Sequence, residues 1–521
     1  MKKLILGLVI TLAFSSCEDY VADVNTEQSN RANFDLLAPN QMLAGALVGY
    51  TAHQNITLAG YGNRMAYVSA LNSGFTATDP AYTYAYSSSS YSNIFESGFL
   101  IADNFQDILD KQAIYPLFSY HYGVARIFKV INMDYITALY GDVPYTQAFK
   151  DNITFPKYDD DKTIIPKLLL ELDAARDNFV NPIAGHKDLG VEDVVFAGDV
   201  AKWYAFANTI ELRLLMRLSK TTDPSLVALR TARFATLVQD FVADDVIVNP
   251  GYTMSGAFGQ RNPVFRTHGL IESNDAFTST NLAYATGIYF MQLLSGTLAA
   301  NTTIDNTGLV DPRRPGIVSS TVGATQGIFP LTPTSRYSSF YTGRRTGLGT
   351  ALDANTNASQ RDAYLMLGAE SYFLQAEAIQ RGYMSGSAQA MFNNGINASF
   401  AFYTKSWGTY IAPALSANAS TYITVTNSRN GLGWAGSADK INAIMTQKYL
   451  ALAQWNGIEQ YIDHLRTGFP VLPFPVGAEK PNRPNRLIYP PSEYSSNSQN
   501  VPNVSNDDLF TVNVKTPYYL Q

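Results

Sequence analysis

Two tyrosine-rich segments carry the side chains of this sequence that are best suited to contacting a ligand. Tyrosine offers a flat apolar ring that can stack on the C–H face of a sugar or on a peptide side chain. Asn and Arg can hydrogen-bond hydroxyls and carbonyls. The predicted contact residues are Asn72, Tyr82, Tyr84, Tyr86, Tyr91 and Asn93 in segment 72–93, and Arg336, Tyr337, Phe340, Tyr341, Arg344 and Arg345 in segment 331–345. The alternative for the first segment is that 81–91 is a polar, Tyr-rich surface loop that packs on its own scaffold or on a partner protein. The alternatives for Arg344 and Arg345 are a solvated pair and a contact to such a partner.

Residue patterns typical of catalysis are missing from the sequence. The five histidines lie far apart, without metal-ligand spacing: His53, His121, His186, His268 and His464. The chain contains no HExxH, GxSxG or GxxxxGK[ST] motif. We therefore predict that the protein is not an enzyme and needs no cofactor, and no motif points to a carboxylate pair of the kind that hydrolyses glycosides.

The acidic run Asp159-Asp160-Asp161 is interpreted as the start of a helix. Carboxylates favour a helix N-terminus, where they accept hydrogen bonds from free backbone N–H groups. The run lacks the Gly and Glu spacing of a calcium-binding loop. No metal site is predicted there.

The N-terminus has the features of an export signal. Two lysines precede an apolar run over 4–14, which is too short to cross a bilayer, because a spanning helix needs about 20 apolar residues. Small residues then lead into Cys17, the only cysteine, in a pattern that resembles the lipobox of bacterial lipoproteins. Residues 1–16 are predicted to be a lipoprotein signal peptide, Cys17 the lipidated residue, and 17–34 a tether. The acidic pair after Cys17 resembles a surface-export signal.

Net charge argues against nucleic acid as a partner. The formal net charge is −6, and removal of residues 1–16 with their two lysines makes it about −8. Nucleic-acid binding requires a basic surface. No other apolar stretch reaches spanning length, so the acyl chains on Cys17 are the predicted membrane anchor.

Helical periodicity dominates the rest of the chain. Apolar residues at 3–4 spacing predict helices at 35–70, 92–111, 117–139, 162–179, 198–219, 225–242, 361–381, 386–402, 438–455 and 457–466. Long connections rich in Gly, Ser, Asn and Tyr separate them at 71–91, 250–283, 299–360, 404–436 and 468–521. Small and large residues alternate around 368–378, which suggests tetratricopeptide-like helix pairs. The predicted fold is mostly α, a scaffold of such pairs with a loop-rich, irregular second portion, forming one domain over 35–521.

Separated segments of the chain resemble one known family. They read NMDYITALYGDVPY at 132–145, the triplet DPR at 311–313, ESYFLQAEA at 370–378, KYLALAQWNGIEQYIDHLR at 448–466 and YPPSEY at 489–494. In this order, behind a lipobox, they resemble the SusD/RagB family of outer-membrane nutrient-binding lipoproteins. The resemblance spans essentially the whole mature chain.

The resemblance implies a function at the cell surface. Family members act as a lid over a SusC-like TonB-dependent transporter and hold an oligosaccharide, or in some branches a peptide, between lid and barrel. The chain is accordingly expected to be lipid-anchored at the outer membrane, to bind an oligomeric nutrient and to deliver it to such a transporter. The alternatives are a surface glycoside-processing enzyme and a structural or adhesion lipoprotein.

The acidic residues of the family segments are predicted to be structural. Buried carboxylates must be paired or hydrogen-bonded, so capping and buried hydrogen bonding are the expected roles of Asp134, Asp142, Glu370, Glu377 and Glu459. Segment 448–466 is predicted to form two helices joined near Asn456 and Gly457. Its expected core residues are Leu450, Leu452, Trp455, Ile458, Ile462 and Leu465.

Overall fold

The structure, a computed structural model, describes residues 37–72, 78–150, 152–253, 261–269, 271, 278–299, 303–318, 323–326, 360–406, 412 and 414–521. Its α-helices are α1 Pro39–Ala52, α2 Ala59–Met65, α3 Pro80–Thr83, α4 Ser92–Asp110, α5 Ser119–Tyr140, α6 Asp161–Val180, α7 Val200–Arg217, α8 Pro224–Thr236, α9 Pro263–His268, α10 Ser279–Ala283, α11 Ile288–Ser295, α12 Arg314–Ile317, α13 Gly368–Gln380, α14 Ala388–Thr404, α15 Ala419–Thr426, α16 Lys440–Leu452, α17 Gly457–Thr467 and α18 Pro491–Ser496. Its strands are β1 Ser69–Leu71, β2 Val143–Pro144, β3 Tyr158–Asp159, β4 Val246–Val248, β5 Tyr284–Thr286 and β6 Ala363–Met366. A π-helical turn, His53–Leu58, joins α1 to α2.

Packed helix pairs form the scaffold. Helix α5 packs between α4 and α6, α6 packs on α7, and α13 packs on α14 and α16. The core lies along these contacts, and nearly all of α5 is buried. The predicted mostly α, tetratricopeptide-like fold is confirmed.

Local signals fixed the ends of the long helices. Helix α5 ends at Gly141, whose φ of 75° is a left-handed conformation that glycine adopts without strain. Helix α6 begins after Asp160, whose side chain accepts a hydrogen bond from the Lys162 N–H. Both helices therefore begin and end within two residues of the predicted positions.

Differences from the prediction lie where apolar residues do not reveal the element type, and the predicted helix at 35–70 divides into α1, the π-helical turn and α2 before strand β1. Residues 363–366 form strand β6, paired with β4, and helix α13 begins only at Gly368. All four strand residues are buried, and a short apolar run buried on both faces has no alternation that distinguishes it from a helix. Helix α11 was not predicted, and short helices interrupt each of the five long connections.

The three small sheets are antiparallel pairs that join distant parts of the chain. Strand β1 pairs with β5, with Ser69 opposite Thr286 and Leu71 opposite Tyr284. This pairing brings the segment after α2 against the segment after α10. It builds one wall of the cavity described below.

A buried charge network links four of the scaffold helices. Arg217 on α7 contacts Asp134 on α5 at 2.7 Å and Glu459 on α17 at 2.5 Å. Arg213, one turn earlier on α7, contacts Glu370 on α13 at 2.8 Å. These five side chains are at most 2% exposed. Each carboxylate has a guanidinium partner, as a charge buried in protein requires.

The remaining family-segment acids also have structural roles. Glu377 pairs with Arg466 and Arg381. The Asp142 carboxylate accepts the backbone N–H of Asp161 at 3.0 Å. The prediction that these acids serve capping and buried hydrogen bonding is confirmed.

The turn between α16 and α17 contains a buried tryptophan. Trp455 is 3% exposed, and its ring lies 5.1 Å from Tyr364 and 5.8 Å from Phe402, edge-on to both. Gly457 begins α17, where a Cβ would lie 2.4 Å from the backbone nitrogen of Asn63 on α2. The helix break at 456–457 was predicted, and of the predicted core residues only Leu465 remains partly exposed.

Candidate functional site

A cavity with two chambers that share lining residues lies between the α1–α2 connection and the α9–α10 segment. The outer chamber has a volume of about 420 Å³ and the inner chamber about 70 Å³. Both are lined by Gly60, Arg64, His268, Thr280 and Tyr284. The outer chamber adds Ile56, Thr57, Tyr91, Asn93, Ile94, Thr267, Ser279 and Ala283; the inner chamber adds Asn55, Asn63, Val68, Ser69, Asn281, Ala285, Thr286 and Gln454. Asn93 and Ser279 are exposed, so the outer chamber opens to solvent.

The floor of the cavity comes from irregular backbone. The π-helical turn His53–Leu58 supplies Asn55, Ile56 and Thr57. Single π-turns inside α-helices occur frequently at functional sites because they redirect side chains. Asn55 is tied to the backbone of Tyr364 by two hydrogen bonds and so fixes this turn in place.

Arg64 lies at the junction of the two chambers in a fixed position. Its Nη1 donates to the Tyr284 hydroxyl at 2.8 Å, and its Nε lies 3.4 Å from the Asp79 carboxylate. The guanidinium carbon is 5.3 Å from the Tyr91 ring centroid and 5.2 Å from that of Tyr284. Two tyrosine rings and one carboxylate therefore hold this cation, whose side chain is 14% exposed.

Tyr91 is held from its other side as well. Its hydroxyl donates to the Asp79 carboxylate, and its ring packs 4.7 Å from that of Tyr61. Its φ of 57° is unusual for a residue with a side chain. Backbone strain of this kind is often found at binding sites.

The inner chamber carries polar atoms without partners. Asn281 Oδ1 and Thr286 Oγ1 are buried and make no hydrogen bond to the part of the chain that the structure describes. Such atoms are rare in folded proteins, since each costs about 1–3 kcal/mol.

His268 is uncharged in this site at neutral pH. Burial, reinforced by the neighbouring Arg64 guanidinium, lowers its pKa to about 4. Arg64 is therefore the one described lining residue that carries a charge at neutral pH. No Asp or Glu among the described residues lines either chamber.

The predicted contact residues of the first segment divide between cavity and core. Tyr91 and Asn93 line the outer chamber. Asn72 lies at the end of β1, where it is buried and donates to the Leu282 carbonyl at 2.9 Å. It supports the cavity wall rather than facing a ligand.

Tyr82, Tyr84 and Tyr86 do not form the open stacking platform that the sequence suggested. They are 0%, 0% and 6% exposed, with hydroxyls bonded to the Ser69 carbonyl, Arg483 and the Met65 sulfur. Their every-second-residue spacing, with Ala85 exposed between them, is the signal of a segment with one buried face. The alternative reading, packing on the scaffold, is correct for these three.

The second predicted segment lies outside the described residues. This applies to Arg336, Tyr337, Phe340, Tyr341, Arg344 and Arg345, and likewise to Cys17. Their assignments remain predictions.

Among the described residues, three acidic side chains lie close enough together to be considered as a metal site. Ligand atoms of Asp142, Asp160 and Asp161 lie within 4.8 Å of one another. Each already accepts a backbone N–H: Asp142 that of Asp161, Asp160 that of Lys162, and Asp161 that of Tyr518. Burial, with Asp142 adding to it, raises the pKa of Asp161 to about 7. The predicted capping role accounts for the group.

Comparison with known proteins identifies the family. The model of the SusD-like family described as "Starch-binding associating with outer membrane" matches residues 31–490. This chain belongs to the SusD-like family. Among curated proteins none matches significantly.

Solved structures share the fold of this SusD-like protein. A SusD homologue from Bacteroides fragilis has a TM-score of 0.66 at 20% identity, covering 89% of this chain and 95% of its own. A chitin-binding SusD homologue from Flavobacterium johnsoniae has a TM-score of 0.60 at 20% identity, covering 88% and 94%. A SusD/RagB-family protein from Bacteroides thetaiotaomicron has a TM-score of 0.64 at 17% identity, covering 89% and 95%.

Sequence reasoning missed most of the cavity of this SusD-like protein. Arg64 and Tyr284 are 220 residues apart, and the β1–β5 pairing brings them together. Nothing in the residues around Arg64 distinguishes it from a surface arginine on a helix.

Among the described helices, none combines the length and apolarity needed to cross a membrane.

Proposed function

We propose that this SusD-like protein binds an oligomeric nutrient, an oligosaccharide or an oligopeptide, in the cavity around Arg64. The observation that carries the proposal is the cavity itself. Its outer chamber falls in the range of about 300–1,000 Å³ that ligand sites usually occupy. It presents the ring of Tyr91 and the hydroxyl and amide groups of Thr57, Asn93 and Ser279 beside a fixed cation.

Binding without hydrolysis is the activity we propose. A glycoside hydrolase places two carboxyl groups on either side of the scissile bond. The described lining has none, and Asp79, which lies beside the lining residue Arg64, already contacts Arg64 and Tyr91. The family description and the chitin-binding relative support a glycan as the ligand class.

A cavity-filling substitution tests this site directly. Gly60 lies on α2 in the wall of both chambers, and a Cβ there would meet no atom within 4 Å. Gly60→Phe should therefore occupy the cavity without disturbing the helix. We expect it to abolish binding of starch or chitin oligosaccharides, or of an oligopeptide pool, in calorimetric titration, with an unchanged melting temperature and with the ligand recovered intact.

The matched control is Gly45→Phe. Gly45 is exposed on α1, also with open space around it, and does not line the cavity. This variant should bind like the wild type. If Gly60→Phe binds as tightly as the wild type, the ligand site lies elsewhere.

We further propose that the protein is held at the outer membrane by lipid on Cys17 and delivers its ligand to a SusC-like TonB-dependent transporter, as its lid. The lipobox-like segment and the family support this. Cys17→Ala should remove the acylation site, so the variant should be absent from the outer-membrane fraction. The tagged wild type should be present in that fraction and should co-purify with a barrel transporter. Retention of the variant in that fraction would refute the anchor, and the absence of a co-purifying transporter would refute the partner.

A further inference from the structure

Arg64 is placed so that part of its guanidinium is committed and part is available. Its Nη1 and Nε face Tyr284 and Asp79. Its Nη2 makes no hydrogen bond to the residues that the structure describes. Since Nη1 carries two hydrogens and uses one, the second hydrogen of Nη1 and both hydrogens of Nη2 remain available to donate. Guanidinium N–H groups donate strong hydrogen bonds to the oxygens of a carboxylate.

The cation is also positioned in advance. The Tyr91 and Tyr284 rings hold the guanidinium at 5.3 and 5.2 Å. The conformational entropy that a free arginine would lose on binding an anion is therefore already lost in the folded protein. Asp79 offsets part of the charge, but it approaches Nε and is itself bonded to Tyr91. Among the described residues, Nη2 makes no ion pair with Asp79.

The rest of the described lining suits the hydroxyl groups of a sugar. Asn93 is exposed in the outer chamber and offers an amide that both donates and accepts hydrogen bonds. Thr57, Ser279 and Thr280 add hydroxyls that both donate and accept. A peptide would require apolar pockets for its side chains. The described lining offers few large aliphatic residues for such pockets, namely Ile56, Ile94 and Val68.

We propose that this cavity selects acidic oligosaccharides, whose sugar rings carry carboxylates, with Arg64 as the residue that recognises the carboxylate. The inference rests on the proposed function, because it names the ligand class of the same cavity. The chain as a whole is acidic, with a formal net charge of −6. General attraction of anions therefore does not explain such a preference, and it depends on Arg64.

The test uses pairs of oligosaccharides that differ only at the carboxylate. Oligomannuronate and oligomannose of equal linkage and length form one pair, and oligogalacturonate and the corresponding galactose oligomer form another. We expect the acidic member of at least one pair to bind the wild type about 10-fold more tightly than its neutral partner, the effect of a charge-assisted hydrogen bond. The preference should shrink at high salt only in part, since the site is partly buried.

Substitutions assign the preference to Arg64. Arg64→Gln should lower the affinity for the acidic member more than that for the neutral member, so that the difference between the two affinities disappears. Arg64→Lys should keep part of the preference, because it keeps the charge but not the planar edge. Lys202→Gln, which removes an exposed cation that does not line the cavity, should change neither affinity. Should Arg64→Gln fail to fold, the wild-type comparison of each pair still decides the inference.

The outcomes separate this inference from the proposed function. If neutral members bind as tightly as acidic ones, or if only starch or chitin oligosaccharides bind, acid selection is wrong, while loss of that binding in Gly60→Phe upholds the cavity. If an acidic peptide binds and no acidic sugar does, the ligand class is wrong. If Gly60→Phe leaves every affinity unchanged, the cavity itself is refuted.

Discussion

Replacing Arg217 with Ala should lower the free energy of unfolding by about 3–5 kcal/mol, the usual cost of breaking a buried ion pair from one side. Asp134 and Glu459 would then face each other without their shared guanidinium, in a place where all three side chains are 2% exposed. Removing a buried charge's partner leaves its desolvation uncompensated. Chemical denaturation followed by circular dichroism would measure the loss.

An exposed ion pair provides the control for Arg217. Lys202 lies on the same helix, α7, with its Nζ 3.9 Å from Asp199 and its side chain 60% exposed. Lys202→Ala should change stability by less than about 1 kcal/mol, as exposed pairs usually do. A loss in Arg217→Ala no larger than in Lys202→Ala would show that the four helices do not depend on the buried network.

Truncating Trp455 to Ala should be about as costly, about 3–5 kcal/mol, because it removes a large buried ring and leaves a cavity. The Tyr364 and Phe402 rings would lose their common edge-on partner. Trp455 belongs to a hydrophobic core that also contains Phe290 and Tyr449. This core is distinct from that of the long N-terminal helices. The melting temperature and the denaturant midpoint should both fall.

Trp434 is the matched control for Trp455. It is only partly buried and packs against the edge of another cluster, 5.4 Å from Phe392. Trp434→Ala should therefore cost clearly less than Trp455→Ala, and Trp455→Phe should recover part of the loss, since a smaller ring leaves a smaller cavity. Equal effects of the two alanine substitutions would contradict the packing described here.

The sequence by itself determined the long elements of this protein. Helices α5, α6 and α17 were predictable because apolar spacing, an Asp cap and Gly breaks act within a few residues. The structural role of the family-segment acids was predictable too, since a charge within a helix that is buried must have a partner. The guanidinium partners of Asp134, Glu370 and Glu459 were not predictable, because Arg213 and Arg217 come from another helix.

Tertiary structure alone decided the candidate site. Tyr84 and Tyr91 have the same side-chain chemistry. Packing alone makes Tyr84 a core residue and Tyr91 part of the cavity wall. Likewise, Arg64 lies in the cavity wall beside Tyr284 because β1, which follows Arg64 in the chain, pairs with β5, which contains Tyr284. Periodicity is encoded in neighbouring residues and reports which element forms. Which face of that element is covered, and by what, depends on contacts between residues far apart in the chain.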